Sequence, residues 1–300
     1  MKIGSVILVA LVVCGGCSAR TGSSDASHDA PHGFLFVAGP YVRTNHGGLP
    51  PRDTRAYRDG RLVATYHARV LPARDRASAS LLYDEPAGTA RPLGGGPSSA
   101  FDPCRVSYHL SGRSMELSPD GRRGVCVSEG ADFGAVIVFD VARWQSTRRR
   151  VFEASSYGGV ATWLDDRRIA VMENRRTCPP SVQKFGGYRG ITIIDLHGQV
   201  LERGPCTSGV LAGPRGLIYV RYHVAFDTLT SVLYALTGNP IPRMEFSSDG
   251  GRTWRDGRPQ FADADGRVFY FDAQEWEGTL WVDGMPTAFR NSSSAGWAMP

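Results

Sequence analysis

The feature that most constrains the fold is a turn followed by a β-type run, which recurs along the chain. The repeats read D-G-R-L-V-A-T-Y from Asp59, S-P-D-G-R-R-G-V from Ser118, L-D-D-R-R-I-A-V from Leu164, G-P-R-G-L-I-Y-V from Gly213 and D-A-D-G-R-V-F-Y-F from Asp263. Successive repeats are about 60, 46, 49 and 50 residues apart. A period of roughly 40 to 50 residues with several strands per unit is typical of propeller blades. One four-stranded sheet cannot bury both faces alone, whereas a closed ring of sheets buries them and leaves only short edges.

The rest of the chain is consistent with this period. Short β-rich runs alternate with turns of Gly, Asp, Pro and Asn, and no segment carries a long helical period. The run Ala135 to Asp140 is apolar at consecutive positions, which is typical of a strand buried on both faces. We therefore predict an all-β chain, a β-propeller of five to six four-stranded blades, with a β-sandwich as the structural alternative. The long gap from Gly60 to Gly121 is expected to hold a degenerate blade.

The N-terminal segment has the layout of a cleaved export signal. Lys2 precedes an apolar run from Ile3 to Val13, and small residues and a cysteine follow. Eleven apolar residues rise about 16 Å as a helix, roughly half of a bilayer core. The sequence therefore predicts a signal peptide over residues 1–17, a flexible polar tether over 18–32 and a propeller domain over 33–300.

The cysteine that ends this segment makes it resemble a bacterial lipoprotein leader, in which a thiol after two small residues is acylated. Cys17 follows Gly15 and Gly16 and is the favoured lipid anchor, and Cys14 is the alternative. The resemblance implies an extracytoplasmic protein held in the cell envelope by its N-terminal lipid. Ser18 after the anchor implies the outer membrane if the cell has two membranes. A secreted or periplasmic protein without lipid is the alternative.

Cysteine and charge usage narrow the chemistry further. Four cysteines follow the tether, and an even number in an exported chain predicts two disulfides with three possible pairings. Proximity along the repeat favours Cys178 with Cys206, and then Cys104 with Cys126. No histidine stands at zinc-site spacing from these cysteines, so we expect no metal and no cofactor.

The formal net charge of +5 comes from arginine, because the only lysines are Lys2 and Lys184. The arginines are spread through turns and alternate with Asp and Gly. They do not form the basic stripe with interleaved aromatic residues that nucleic-acid binding requires. We therefore expect no nucleic-acid partner, and an acidic glycan or an anionic surface is the alternative that the charge favours.

Two segments resemble known propeller repeats. The S-P-D-G-R-R sequence from Ser118 resembles the repeats of TolB-like and WD-related bacterial propellers. The segment S-S-D-G-G-R-T-W matches the pattern S-x-D-x-G-x-T-W and resembles an Asp-box, the BNR repeat of sialidases. The resemblance implies a structural hairpin in which the aspartate accepts backbone N–H bonds, the glycines adopt positive φ and the tryptophan packs into the neighbouring sheet. The residues concerned are Ser247, Asp249, Gly251, Thr253 and Trp254.

The sequence gives little support to catalysis. The F-R-I-P-like motif of sialidases is missing from the corresponding segment, which reads F-V-A-G-P-Y-V-R-T-N from Phe36. The chain also lacks a G-x-S-x-G elbow and an H-E-x-x-H pair. We therefore predict no catalytic residues, although a glycan-cleaving, sialidase-like hydrolase is the alternative.

The predicted function is a non-catalytic platform that binds an envelope protein or a glycan. Loops at one face of a propeller form a broad surface suited to recognition. A purely structural envelope lipoprotein is a further alternative. The candidate ligand contacts lie in three loops and are Tyr41, Arg43, Lys184, Tyr188, Glu275 and Trp276.

Overall fold

The structure is a β-propeller of six four-stranded antiparallel blades, as the repeat period predicts, and the β-sandwich alternative is wrong. It is a computed structural model that describes residues 33–39, 42–44, 47–49, 53–84, 86–104, 115–129, 134–154, 160–173, 175, 177–178, 189–223, 243–272, 278–290, 292 and 294–300. In the described residues, no helix is both long enough and apolar enough to span a bilayer.

The blades are numbered in chain order, and the strands of each blade are given from the axis outward. Blade 1 contains β26 (Ser294–Ala298), β1 (Phe34–Ala38), β4 (Thr54–Arg58) and β5 (Arg61–Tyr66); blade 2 contains β6 (Arg69–Leu71), β7 (Leu81–Asp84), β8 (Thr89–Pro92) and β9 (Ser99–Ala100); blade 3 contains β10 (Met115–Leu117), β11 (Arg123–Glu129), β12 (Gly134–Asp140) and β13 (Arg149–Ala154). Blade 4 contains β14 (Ala161–Trp163), β15 (Arg168–Glu173), β16 (Arg189–Asp195) and β17 (Val200–Thr207); blade 5 contains β18 (Gly209–Gly213), β19 (Gly216–His223), β20 (Arg243–Ser247) and β21 (Arg255–Asp256); blade 6 contains β22 (Arg258–Ala262), β23 (Val268–Phe271), β24 (Leu280–Val282) and β25 (Met285–Pro286). The other elements among the described residues are a hairpin of β2 (Val42–Thr44) and β3 (Gly47–Leu49), two 3₁₀ turns (Ala77–Ala79 and Val141–Arg143) and one α-helical turn (Trp144–Thr147).

The two ends of the chain close the ring. Strand β26 is the innermost strand of blade 1 and pairs antiparallel with β1, with Phe34 opposite Ala298 and Ala38 opposite Ser294. This pairing covers the inner edge of β1, which would otherwise present unpaired backbone groups to other chains.

Each blade buries both faces against its neighbours, so an apolar cluster lies at every junction between blades. Strand β12 shows how one strand serves two junctions. Val136 and Val138 pack with Trp163 of blade 4, whereas Ile137 and Phe139 pack against blade 2. The burial of consecutive residues that the apolar run predicts is therefore confirmed.

The segments that join the first and second strands of the blades meet at one end of the ring, which we call the turn face. These segments are residues 72–80, 118–122, 164–167, 214–215 and 263–267. Neighbouring segments contact each other: Asp75 N donates to Pro119 O at 2.9 Å, and Asp120 N donates to Asp166 Oδ1 at 3.1 Å. Because the strands of a blade alternate in direction, the second-to-third connections and the crossings between blades lie at the opposite end, the loop face.

The five sequence repeats are not equivalent in the structure. Four of them join the first and second strands of a blade, whereas Asp59 and Gly60 join the third strand β4 to the fourth strand β5. An Asp-Gly pair with φ of 49° and 74° suits any tight hairpin, whatever its position in a blade. Blade 2 occupies the long gap between the first two repeats. Its first-to-second segment is longer than the repeated turn and includes a 3₁₀ turn, so the repeat is not visible there.

Both disulfides that the sequence favours are present. Cys104, at the crossing from blade 2 to blade 3, is bonded to Cys126 of β11, with the two Cα atoms 6.2 Å apart. Cys178, which follows β15, is bonded to Cys206 of β17, with the two Cα atoms 5.6 Å apart. The second bond ties the start of a loop-face connection to the outermost strand of its own blade.

Candidate functional site

A cavity of about 230 Å³ lies on the axis of the ring. The innermost strands of five blades line it, and apolar side chains form most of its wall, including Phe36, Val70, Leu71, Met115, Phe261 and Trp297. Its charged and strongly polar side chains are Arg69, Arg74, Glu116 and Gln260. An axial position lets one small site contact most blades at once.

Glu116 is the middle residue of β10, a three-residue strand whose other two side chains are buried. Its Oε1 accepts hydrogen bonds from Thr162 Oγ1 at 3.1 Å and from Trp163 N at 3.3 Å, both in blade 4. Burial raises the pKa of the Glu116 carboxyl, while the Arg74 guanidinium and these hydrogen bonds act in the opposite direction. The side chain reaches the cavity but is mostly covered by protein, so loss of hydration is the larger effect.

Arg74 lies in the first-to-second segment of blade 2 and reaches past blade 3 to blade 4. Its Nη2 donates to the carbonyl oxygen of Trp163 at 2.8 Å and more weakly to that of Leu164 at 3.4 Å. Its Nε is buried without a hydrogen-bond partner among the described residues. The guanidinium therefore bounds the cavity at the turn face while keeping one donor unused.

Arg69 and Gln260 occupy other parts of the wall. Arg69 is the first residue of β6, at the loop-face end of the cavity, and its partly buried side chain makes no hydrogen bond or ion pair with other described residues. The Gln260 carboxamide is held by its own strand, where its Nε2 donates to Arg258 O at 3.2 Å. It is also held by blade 1, because its Oε1 accepts from Ala295 N at 3.3 Å. Arg69 is thus the cation that the cavity offers to a ligand.

The described lining carries two arginines and one glutamate, which gives one net positive charge when Glu116 is ionised. Such a wall suits a small anionic group with an apolar neighbour. A glycoside hydrolase would require a pair of carboxylates, and the described part of the lining supplies one. No group of three or more His, Cys, Asp or Glu residues suited to a metal ion occurs among the described residues.

The loop residues predicted from the sequence fall largely outside the described residues. The residues outside the described part of the chain are Tyr41, Lys184, Tyr188, Glu275, Trp276, Cys14 and Cys17. Of Arg43 only the backbone is described, in the β2–β3 hairpin. The strands that flank the three loops nevertheless end at the loop face, because each loop joins a second strand to a third strand. That face is also the end of the cavity at which Arg69 lies.

The hairpin from Ser247 to Trp254 joins β20 to β21 at the turn face, away from the cavity. The Asp249 carboxylate accepts from Thr253 Oγ1 at 2.6 Å, from Thr253 N at 2.9 Å and from Ser247 Oγ at 2.8 Å. Hydrogen bonds from Thr253 and Ser247 hold the pKa of this carboxyl well below its usual range. Gly250 and Gly251 adopt φ of 78° and 87°, as the tight turn requires.

The contacts of Trp254 that the structure gives lie within its own blade. Its ring stacks under the Arg221 guanidinium of β19, 4.0 Å from the ring centroid. Its indole N–H donates to Gly251 O within the hairpin at 3.1 Å. Packing of this ring into a neighbouring sheet stays a prediction.

Sequence reasoning missed the four charged or strongly polar residues of the cavity: Arg69, Arg74, Glu116 and Gln260. A signal was available, because the repeated turns directly follow the innermost strands. Glu116 lies two residues before Ser118, and Gln260 lies three residues before Asp263. A polar residue just before such a turn is therefore a candidate to face the axis.

No protein-family model matches the sequence, and no curated protein matches it. Among solved structures, TolB from Acinetobacter baumannii matches with a TM-score of 0.55 and 13% identity, over 89% of this chain and 67% of that chain. A putative TolB from Agrobacterium tumefaciens matches with a TM-score of 0.43 and 13% identity, over 89% and 90% of the two chains. Hydrazine synthase from Kuenenia stuttgartiensis matches with a TM-score of 0.45 and 11% identity, over 78% and 73%. At 13% identity, the likeness to TolB from Acinetobacter baumannii shows the fold alone, which is a propeller.

Proposed function

We propose that the chain is a membrane-anchored, extracytoplasmic platform that binds an anionic group of an envelope protein or a glycan, without catalysis. One observation carries this proposal: Arg69, Arg74 and Glu116 line an apolar cavity on the axis of the ring. Arg69 has no hydrogen bond or ion pair with other described residues, so an incoming carboxylate or sulfate would gain a charge-assisted hydrogen bond there.

The loop face supports recognition of a larger partner around this cavity. The strands that flank residues 177–188 and 273–277 end there, as do those that flank the β2–β3 hairpin. The candidate contacts in these loops would surround the group that enters the cavity. A partner that combined one anionic group with a broad contact surface would use both features.

The localisation that we propose is the cell envelope, with the chain held to a membrane through the lipid on Cys17. Two disulfides support an oxidising compartment, because such bonds persist outside the cytosol. The outer membrane is the expected site if the cell has two membranes, since Ser18 follows the anchor. Nucleic acid is not an expected partner in this compartment.

We infer that the hairpin from Ser247 to Trp254 is a single Asp-box with a structural role. The hydrogen bonds that Asp249 accepts from Thr253 and Ser247 support this assignment. The hairpin lies at the turn face, so its role would be to fix the outer strands of blade 5 rather than to contact the ligand.

Ligand capture tests the proposal. Full-length protein is purified in mild detergent, immobilised, and exposed to an envelope extract and to a glycan array. Arg69→Ala should weaken the captured interaction about tenfold or more, since a charged hydrogen bond contributes about 1.5 to 3 kcal/mol. Arg61→Ala, an exposed change on the outermost strand β5, is the matched control. A ligand held equally by both variants would show that the axis is not the binding site.

The anchor is tested separately by metabolic labelling with a fatty acid. Cys17→Ser should abolish incorporation of label, whereas Cys14→Ser should leave it. Label retained by the first variant and lost from the second would assign the anchor to Cys14 instead.

A further inference from the structure

A groove of about 940 Å³ lies between blades 2 and 3 and shares no lining residue with the axial cavity. Strands β8 and β9 of blade 2 form one wall. The other wall is formed by the first-to-second turn of blade 3 and by residues 140–146, which connect its third and fourth strands.

Arginine dominates the groove. Its described lining carries one carboxylate, that of Asp140, against four guanidinium groups, those of Arg91, Arg122, Arg123 and Arg143. Asp140 is shared, at 3.2 Å from Arg143 Nη2 and 3.8 Å from Arg123 Nε. The Arg122 side chain is 86% exposed, and its closest carboxylate, Asp120, is 3.8 Å away and outside the groove. The lining itself therefore carries three more positive than negative charges, of which Asp120 beside Arg122 offsets one.

An aromatic side chain lies beside these cations. Trp144 is partly buried, its indole N–H donates to Ala100 O at 3.0 Å, and its ring meets that of Phe101 edge-on with centroids 6.0 Å apart. An amphipathic indole next to arginine side chains is the combination that proteins use at membrane–water interfaces.

The groove opens at the end of the ring where the chain enters. Phe34 pairs with Ala298, and the next residue, Met299, donates to Arg74 O at 2.6 Å. The adjacent Asp75 N donates to Pro119 O, in the turn that carries Arg122. Fifteen residues, 18–32, separate the proposed anchor at Cys17 from Gly33, the first described residue of the ring. A lipid at Cys17 would therefore hold the turn face, and this groove with it, close to the bilayer.

We propose that this groove binds the anionic headgroups of phospholipids in the membrane to which the chain is tethered, so that the axial cavity and the loop face point away from that membrane. The orientation rests on the lipid anchor of the proposed function, whereas headgroup binding by the groove does not. Each arginine near an anionic surface strengthens membrane binding about fivefold, so the groove would hold one face of the ring to the bilayer.

Vesicle binding tests the proposal with full-length lipidated protein. Vesicles of phosphatidylcholine alone are compared with vesicles that also contain phosphatidylglycerol, by co-sedimentation and by backbone hydrogen exchange of residues 118–123 and 140–147. Protection of these residues is expected only with the anionic vesicles, and salt should remove it. Arg91→Glu with Arg122→Glu should abolish the protection and weaken the added binding at least about tenfold. Arg215→Glu with Arg252→Glu, exposed on the turn face of blade 5 and outside the groove, is the matched control and should change little.

The outcomes separate the two proposals. Sedimentation with neutral vesicles but equal exchange on both vesicle types would leave the anchor standing and overturn the groove assignment. Equal losses in both charge-reversal variants would also overturn it, because the whole face would then be responsible. If free glycerol phosphate protected the groove residues from exchange and anionic vesicles did not, the ligand would not be a lipid headgroup in a membrane. Failure to sediment with neutral vesicles, together with groove-dependent binding to anionic ones, would remove the anchor and support the groove.

Discussion

Arg74 of blade 2 donates to the carbonyl oxygen of Trp163 in blade 4 at 2.8 Å, and so crosses the end of the axis. Glu116 of blade 3 accepts the backbone N–H of the same tryptophan at 3.3 Å. Three consecutive blades are therefore joined at the axis by one charged network. Two of the residues that give the cavity its charge, Arg74 and Glu116, therefore also link the blades.

Arg74→Ala should lower the free energy of unfolding by about 2 kcal/mol, because hydrogen bonds from a charged donor contribute roughly 1.5 to 3 kcal/mol. Urea unfolding measures the change. Arg76→Ala is the matched control, since Arg76 is exposed two residues away and its side chain makes no hydrogen bond with other described residues. Equal midpoints for the two variants would show that the link across the axis does not stabilise the ring.

Glu116→Gln should change how stability depends on pH. Burial raises the folded-state pKa of Glu116 above the ordinary 4.5, so the folded protein holds this proton more tightly than the unfolded chain. Its contribution to stability is therefore present below pH 4.5 and is lost as the pH rises through the raised value. Glutamine keeps the Oε1 acceptor without titrating. The unfolding free energy of the wild type minus that of the variant should fall from acid to neutral pH, and a rise would contradict the assignment.

Asp249→Asn should destabilise the protein at neutral pH, because the carboxylate accepts hydrogen bonds from Thr253 and Ser247. The folded-state pKa of Asp249 is lowered, so its contribution is present above the ordinary value of 3.8 and is lost as the pH falls through the lowered value. Thermal unfolding at neutral pH and in strong acid measures this: the wild-type advantage should shrink in acid. Asp265→Asn, an exposed change at the turn face of blade 6, is the control and should change the unfolding temperature at neutral pH little.

Gly124→Ala should lower the free energy of unfolding by about 1 to 3 kcal/mol, because a Cβ at Gly124 would overlap the ring of Phe139. The ring would have to leave its edge-on contact with Phe101 at the junction of blades 2 and 3. Gly39→Ala is the control, since its Cβ would meet only Asp53 O, at 3.7 Å. Similar unfolding midpoints for the two variants would refute this account of the packing.

Much of the fold followed from the sequence, because each blade repeats the same physical problem of covering two apolar faces. The second strands β11, β15, β19 and β23 all begin just after a repeated turn, where the repeats place a β-type run. The innermost strands β6, β10 and β14 were not predicted. Three residues are too few to show an alternating pattern, and their conformation depends on pairing with the strand that follows.

The cavity was less accessible to prediction for the same reason. Glu116 and Arg74 lie 42 positions apart and meet only because the ring brings blades 2, 3 and 4 to a common axis. The disulfides were easier to predict, since each joins residues within 28 positions of each other along one repeat. Which side chains face the axis together depends on ring closure, so no local sequence pattern predicts it.

The strand that completes blade 1 also dictates when folding can finish. The inner partner of strand β1 is translated more than 250 positions after it. Phe34 and Ala298 can therefore pair only after the residues between them have been made. Late long-range pairing slows folding. Blade 1 would therefore be the last blade to close, and a chain truncated before Ser294 would leave the inner edge of β1 without its partner.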